Sequence, residues 1–198
     1  MKALPAVLTP FVRSDAVGAI LAEVFADPSQ ELTIAELARR TGVLPAVVHR
    51  EIGRLVSSGV LTDRREGNNR LVKVNPNHPL YGPMAEIIAM TYGPVPVLRS
   101  LLQAQPGVDE AFIYGSWAAR RCGEPGPPPR DIDVLVVGDL AIDDLIQVQN
   151  DAREQLHSDV NIHRVTAEAW QNPDGNPFLT TVLSRPLIPI LQKDKVNV

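Results

Sequence analysis

The sequence has almost no residues that cross-link a chain or hold a structural metal. It contains one cysteine, Cys122, so no disulfide can form within the chain. Its four histidines are scattered without the short, regular spacing of zinc ligands, and they are His49, His78, His157 and His163. These two observations exclude a disulfide-stapled scaffold and a cysteine-rich zinc site.

Long hydrophobic stretches are also missing. No apolar run approaches the roughly 18 residues that would indicate a membrane span. The amino-terminal stretch MKALPAVLTPFVRSDAVG is interrupted by Pro5 and Pro10 and has no small-residue cleavage site, which argues against secretion. With 44% hydrophobic and 21% charged residues, the composition is that of an ordinary soluble protein. We expect a cytoplasmic protein without a membrane partner.

Charge is distributed unevenly along the chain, although the net charge is only −4. Residues 33–75 carry eight basic and four acidic side chains, whereas the chain from residue 105 onward carries eight basic and fourteen acidic ones. A polyanion is attracted to the first segment and repelled by the second unless cations are bound there. The two halves therefore suit different partners, and 198 residues are enough for two small domains.

Local signals predict three helices and a hairpin in the first half. Residues 14–28 combine a Ser-Asp start with apolar residues at helical spacing. A second helix starts at Thr33, with Glu36 placed for a capping box, and ends at Gly42. A third helix begins near Pro45 and is followed by two short strands around a basic turn.

This order over residues 14–78 resembles a winged helix-turn-helix of small bacterial transcription regulators, such as the ArsR-like proteins. The resemblance implies that the third helix enters the major groove of double-stranded DNA and that the hairpin, the wing, reaches the flanking backbone. The residues implied for the groove are Pro45, Val47, His49 and Arg50. Those implied for phosphates or the minor groove are Arg64, Arg65, Asn68, Asn69 and Arg70. Two alternatives stay open: the charges form a solvated face, or Arg50 pairs with Glu51 or Glu36.

Residues 79–105 contain two apolar helical stretches joined at Gly93 and Pro94. This segment either links the two halves or packs against its copy in a homodimer. A two-fold axis of that kind would suit a palindromic operator. The sequence does not choose between the two roles.

The second half contains a Gly-Ser pair and an Asp-x-Asp pair. An apolar strand over residues 111–114 runs into Gly115 and Ser116 and then into a helix, whose free amides suit a phosphate. After the loop GEPGPPPR, the strand DIDVLVVGD places Asp131 and Asp133 on one face, about 7 Å apart. Packing does not explain two like charges there, because they cost Coulomb and desolvation energy unless a cation or hydrogen-bond donors offset them. Mg²⁺ is commonly held by one or two carboxylates together with substrate phosphates.

Residues 106–192 are similar, on these motifs, to a minimal member of the polymerase-beta-like nucleotidyltransferase superfamily. Gly115, Ser116, Asp131 and Asp133 match its signature of strand, Gly-Ser, helix and Asp-x-Asp. The resemblance implies an αβ domain with a mixed sheet and Mg²⁺ bound by the two aspartates. It also implies transfer of a nucleoside monophosphate from an NTP to an acceptor, which is a nucleic acid such as tRNA or a protein.

Active members of the superfamily generally carry a third catalytic acid on a later strand, which here is SDVNIHRV, residues 158–165. The expected position holds Asn161, and Asp159 lies two residues earlier on the same face. Either Asp159 is the third catalytic carboxylate in a shifted register, or the site has lost it. Asparagine offers an oxygen but neither a charge nor a base, so catalytic activity stays open.

Four further residues have two interpretations each. Arg120, one turn after the Gly-Ser pair, reaches the triphosphate or is solvated. Trp117 and Trp170 stack on a base or belong to the core. His163 touches the carboxylate site or is a structural histidine.

We predict an α+β protein with a winged helix-turn-helix domain at 1–78, a helical linker at 79–105 and a small nucleotidyltransferase-like αβ domain at 106–198. The first functional hypothesis is a DNA-binding regulator whose second domain binds a nucleotide with Mg²⁺. The alternative is an active, toxin-like nucleotidyltransferase acting on tRNA or protein.

Overall fold

The computed structural model describes residues 14–127 and 129–192, and the chain divides between Gly93 and Pro94 into two compact units. Within those ranges no helix has both the length and the apolar character needed to cross a bilayer. The first unit contains α1 (Asp15–Ala26), β1 (Leu32–Thr33), α2 (Ile34–Thr41), α3 (Pro45–Ser57), β2 (Leu61–Glu66), β3 (Asn69–Val74) and α4 (Tyr81–Tyr92). The second contains α5 (Pro94–Leu102), β4 (Val108–Tyr114), α6 (Gly115–Arg121), β5 (Asp131–Gly138), α7 (Ile142–Leu156), β6 (Asp159–Val165), α8 (Ala167–Gln171), α9 (Pro177–Leu183) and β7 (Ile188–Leu191).

Capping side chains fix the starts of the first two helices. Ser14 caps α1 by accepting a hydrogen bond from the N–H of Val17 at 3.4 Å. Thr33 accepts from the N–H of Glu36 at 3.1 Å, and the Glu36 carboxylate accepts from the N–H of Thr33 at 2.9 Å. Gly42 ends α2 with a φ of 68°, which glycine adopts without strain. The capping box and the end of α2 that the sequence predicts are therefore confirmed.

The first unit has the order of helices and strands of a winged helix-turn-helix and is built around one core. Its sheet is antiparallel, with the strand order β1-β3-β2 and the pairs Leu32–Val72 and Leu61–Val74. Helix α3 turns Val48 into the core, where it is fully buried. Since Val48 faces the core, the exposed side of the start of α3, which carries Pro45 and His49, is left for other contacts.

The two helices of residues 79–105 belong to different units. Ile88 of α4 is buried in the core of the first unit, whereas Leu98 and Leu102 of α5 are buried in a core of the second. The break predicted at Gly93 is present, but the segment is not a linker of its own. Each of its two helices packs into one unit, because it supplies apolar surface that a small core needs.

The second unit has a four-stranded mixed sheet, with the order β6-β5-β4-β7. Strands β5 and β6 are parallel, and the other pairs are antiparallel. Val134 of β5 points to the core that contains α5 and α7, while Leu135 points to a second core that contains α9. The middle of β5 is thus covered on both faces, whereas Asp131 and Asp133 at its start belong to neither core.

Side chains of two helices bond to the outer strands of this sheet. At the β6 edge, Arg153 of α7 donates to the carbonyl of Val160 at 3.1 Å, and Gln149 accepts from a β6 N–H at 3.1 Å. At the β7 edge, Arg99 of α5 donates to the carbonyl of Ile190 at 2.8 Å. Backbone groups at both edges therefore have partners within the unit.

Candidate functional site

The first turn of α3 forms an exposed surface on the first unit. Of the four residues predicted for the DNA groove, three are exposed: Pro45, His49 and Arg50. The fourth, Val47, is half-buried. Leu44, which precedes the helix, is 72% exposed and belongs to the same surface. The sequence did not indicate Leu44, because nothing in the local pattern separates an exposed leucine from a core one.

A cleft of about 400 Å³ lies between the start of α2, this end of α3 and the wing formed by β2 and β3. Its lining includes Thr33, Pro45, His49, Arg65, Asn69 and Arg70. Side chains that the sequence assigned separately to the groove and to the wing therefore border one cleft.

Arg50 is paired within its own helix. Its Nε donates to Oε1 of Glu51 at 2.9 Å, and Nη1 of Arg54 lies 3.3 Å from Oε2 of the same carboxylate. Glu51 is only 5% exposed, and the hydrogen bond from Arg50 is the largest of the interactions that lower its pKa. The pairing of Arg50 with Glu51 is therefore confirmed, while Glu36 is occupied in the capping box.

The wing arginines differ in their partners. Nη2 of Arg64 lies 2.5 Å from Oε2 of Glu31, and Nε of Arg70 lies 2.7 Å from Oδ2 of Asp63. Arg65 is exposed and borders the cleft, with no carboxylate partner in the described part of the chain. A phosphate must displace a carboxylate to reach Arg64 or Arg70, whereas Arg65 is available without exchange.

The two aspartates of the second unit lie at the start of β5 and face the same side of the sheet. Asn161 of β6 is opposite Asp133, and its Nδ2 donates to Oδ2 of Asp131 at 3.1 Å and to Oδ1 of Asp133 at 3.3 Å. Ile132 and Val134 are buried on the other face, as the alternation predicts. Burial raises the pKa of Asp133 and the charge of Asp131 adds to the rise, while the hydrogen bond from Asn161 opposes it.

Gly115 leaves the space that Asp133 occupies. Its φ is 72°, and a Cβ built on it would lie 2.5 Å from Oδ2 of Asp133. Any other residue would strain the backbone and push the carboxylate away. Ser116 follows in the first turn of α6 and is half-buried. The Gly-Ser motif therefore packs against the Asp-x-Asp strand.

Asp159 and Arg120 lie differently from what their predicted roles suggest. Asp159 is exposed and in register with Asp131, but Asn161 is the residue that bonds to both carboxylates. Arg120 donates to the carbonyl of Glu124 and lies against the loop after α6. The third position of the site is therefore held by a neutral amide, and the roles of Asp159 and Arg120 stay predictions.

The two tryptophans have core partners. Trp170 lies against Phe112, with ring centroids 5.1 Å apart, and Trp117 packs against the core on the opposite face of the sheet. These contacts account for both residues without a bound base.

A hydrogen-bonded pair of rings lies beside the carboxylates. Oη of Tyr114 is 2.8 Å from Nδ1 of His163. Burial, followed by the charges of Asp133 and Asp131, raises the pKa of Tyr114 to about 12. Strand alternation already made His163 a candidate, and the position of Tyr114 directly before the Gly-Ser pair was the signal that the sequence reasoning missed.

The donor set at the start of β5 fits Mg²⁺. Asp131 and Asp133 supply two carboxylates, and Asn161 supplies an amide oxygen if its side chain turns over. Within the described ranges no three His, Cys, Asp or Glu side chains gather as a metal site. The unit therefore offers two charged ligands, a number that suits Mg²⁺ when phosphate oxygens complete its shell.

No protein-family model and no curated protein sequence matches the chain. Solved structures similar to it include the apo form of wild-type MarR from E. coli, with 21% identity and a TM-score of 0.35 over 43% of this chain and 62% of that one. A mutant of E. coli MarR complexed with operator DNA has 20% identity and a TM-score of 0.38, over 52% of this chain and 72% of that one. HmgR from Pseudomonas aeruginosa has 19% identity and a TM-score of 0.30, over 66% of this chain and 50% of that one.

The matched part of this chain thus spans about three fifths of the length of the apo MarR structure. Likeness of this extent assigns no family. The ArsR-like subtype and the nucleotidyltransferase resemblance stay predictions, and function is argued below from the residues of the chain itself.

Proposed function

We propose that the protein is a DNA-binding transcription regulator whose second unit binds a nucleotide with Mg²⁺. The observation that carries the first part is the cleft shared by α3 and the wing, which gathers His49, Arg65, Asn69 and Arg70 at the exposed end of α3. A helix that enters the major groove and a basic wing that contacts phosphates form one continuous surface in such a docking.

The ion pairs of this surface support recognition by exchange. Arg50, Arg64 and Arg70 are each held by a carboxylate in the free protein. The pairs of Arg64 and Arg70 are partly exposed, and such pairs contribute about 0–1 kcal/mol to stability, so a DNA phosphate can replace their carboxylates at small cost. Glu51 is nearly buried, but it keeps Arg54 as a partner when Arg50 turns to a guanine edge. Arg65 needs no such exchange and contributes directly to the electrostatic attraction.

The prediction that tests DNA binding compares Arg65→Ala with Arg50→Ala. Arg65→Ala should lower the slope of log K against log salt by about 1, since it removes one phosphate contact. Arg50→Ala should weaken binding to a duplex enriched from a random library by about 1–3 kcal/mol while leaving random duplex nearly unaffected. Fluorescence anisotropy over a salt series measures both.

Arg185→Ala is the matched control, because Arg185 is an exposed arginine of the second unit that pairs with Glu124. It should leave the salt slope and the enriched-duplex affinity unchanged. DNA recognition by this surface is rejected if Arg65→Ala and Arg50→Ala both behave like this control.

We also propose that the regulator is a homodimer. Helix α4 turns Ile88 into the core of the first unit but leaves Ile87 48% and Met90 73% exposed, with Leu80 56% exposed just before the helix. Leu80, Ile87 and Met90 follow one another at steps of seven and three residues, which is the spacing of an apolar stripe on one helix face. Such a stripe suits a second copy, and a two-fold pair of α3 helices suits a palindromic operator.

We propose that the second unit is the one that binds the nucleotide. Asp131 and Asp133 would hold Mg²⁺, which would neutralise their charge and that of the bound phosphates. Gly115 leaves room for the Asp133 carboxylate, and Asn161 holds the two carboxylates together in the metal-free protein. The neutral Asn161 favours binding over catalysis, because it supplies no base to deprotonate an acceptor hydroxyl.

The alternative function is an active nucleotidyltransferase that modifies tRNA or a protein. One observation favours it: Asp159 is in register with Asp131 on the neighbouring strand, so a third carboxylate lies on the same face of the sheet.

Labelled NTPs distinguish the sensor from the enzyme. Wild-type protein, incubated with Mg²⁺, labelled NTPs and total RNA or cell protein, should bind nucleotide but transfer no label. Asp131→Ala should lower nucleotide affinity at least tenfold in equilibrium dialysis, since one of two charged ligands is removed. Label that appears on an acceptor and is lost in both Asp131→Ala and Asp159→Ala would establish the enzyme instead, and nucleotide binding that survives Asp131→Ala would reject this site.

A further inference from the structure

Three aromatic rings form a cluster on the second unit, and two of them are open to solvent. The ring centroids of Tyr114 and Phe178 are 5.8 Å apart in an edge-to-face arrangement, and those of His163 and Phe178 are 5.4 Å apart. His163 is exposed, and Phe178 is 36% exposed. Most phenylalanines of a folded protein are buried, so an ordered ring at the surface calls for an explanation.

The cluster lies on the same face of the sheet as the carboxylates. Tyr114 of β4 is opposite Asp133, and His163 of β6 follows Asn161 by two residues. Since β5 runs between β4 and β6, the hydrogen bond between Tyr114 and His163 crosses over β5 just beyond Asp133.

Phe178 is held in place by the start of its helix. It lies in the first turn of α9, where the side chain of Asn176 caps the helix by accepting hydrogen bonds from the N–H groups of Phe178 at 3.0 Å and Leu179 at 3.3 Å. Leu179 is fully buried, which anchors the same turn to the core. The exposed ring is therefore rigidly presented, and a rigid aromatic face binds a flat ligand at low entropic cost.

We propose that Phe178 and His163 stack against the base of the nucleotide whose phosphates lie at Asp131 and Asp133. This inference rests on the proposed nucleotide site, and it adds that the site recognises a nucleoside and not only a Mg²⁺-bound polyphosphate. Every base has a π face, so stacking of this kind accepts any of the four bases. The hydrogen bond with Tyr114 fixes one edge of the His163 ring, which leaves its other nitrogen for a polar group of the ligand.

The test is calorimetric titration of the full chain in Mg²⁺ with each ribonucleoside triphosphate and, separately, with inorganic tripolyphosphate. Phe178→Ala should weaken nucleoside triphosphate binding about 5- to 150-fold, the range of one base–aromatic stack, and leave tripolyphosphate binding unchanged. Phe178→Trp should keep the nucleotide affinity, and Phe178→Leu, which keeps apolar contact without a π face, should lose most of it. Leu183→Ala, which removes another exposed apolar side chain of α9, should change neither affinity.

The outcomes separate this inference from the proposed function. If both ligands bind wild type and Phe178→Ala affects neither, or affects both equally, the stacking inference is overturned while the Mg²⁺-polyphosphate site stands. If neither ligand binds the folded wild-type chain, the proposed nucleotide site and the stacking inference are overturned together. Circular dichroism of each variant checks that loss of binding is not loss of fold.

Discussion

Gly138→Ala is expected to lower the free energy of unfolding of the second unit by about 3 kcal/mol or more. Gly138 ends β5 with a φ of 139°, a conformation that side chains rarely adopt. A Cβ built there would lie 2.0 Å from the carbonyl oxygen of Gly107. That oxygen also accepts the N–H of Asp139 at 2.8 Å, so relief of the overlap requires the backbone of two loops to move. Calorimetric unfolding of the full chain measures the loss.

Gly123→Ala is the matched control for this substitution. Gly123 also has a positive φ, 87°, but a Cβ built there meets nothing within 4 Å. Gly123→Ala should lower the free energy of unfolding only by the backbone strain, about 1–2 kcal/mol. Equal losses at the two positions would contradict the argument, because Gly138 adds to its positive φ an overlap with the Gly107 carbonyl that Gly123 lacks.

Asn161→Asp is expected to destabilise the metal-free protein by about 2 kcal/mol and to make its stability respond strongly to Mg²⁺. The substitution removes the amide that donates to Asp131 and Asp133 and puts a third carboxylate in its place. Thermal unfolding with EDTA should show the loss, and Mg²⁺ should restore more of it than in wild type, since a ligand of the folded state stabilises by mass action. Asn150→Asp, at an exposed position of α7, is the control and should show neither effect.

The stability of this variant should fall as pH rises. Burial and a neighbouring carboxylate already raise the pKa of Asp133 in the folded protein, so its contribution to stability is present below its unfolded pKa and is lost as pH rises through the folded value. A third carboxylate at position 161 adds to the repulsion that causes this loss of stability. The difference in free energy of unfolding between wild type and Asn161→Asp should therefore widen from about pH 4 to pH 8. A constant gap would mean that residue 161 does not interact with the two aspartates as charges.

The parts of the fold that were predictable depend on contacts between near neighbours in sequence. Thr33 and Glu36 are three residues apart, so their capping box is visible in the chain. Strand β1 was missed because it is two residues long and exists only through its pairing with β3, some forty residues later. Helices α7, α8 and α9 were not predicted either, since they cover a sheet whose faces the sequence does not display. Strand β7 was missed because it forms only through its pairing with β4, far earlier in the chain.

In the candidate sites, too, only the contacts between near neighbours in sequence were predictable. Strand alternation alone placed Asp131 and Asp133 on one face, and a one-residue spacing is all that this inference needs. The carboxylate Glu31 that holds Arg64, and the contact between Tyr114 and His163, join residues 33 and 49 positions apart. Such contacts are set by tertiary packing, so the sequence did not show that Arg64 is paired in the free protein or that Tyr114 and His163 form an aromatic cluster with Phe178.

The bonds that Arg153 and Arg99 make to the outer strands of the second sheet have a consequence for assembly. An unpaired strand edge is a template on which another chain can add a strand, and repeated addition leads to fibres. Here the carbonyls of Val160 and Ile190 are already taken by guanidinium groups of the same unit. A chain that added a strand at either edge would have to displace these guanidinium groups, which opposes polymerisation through the sheet.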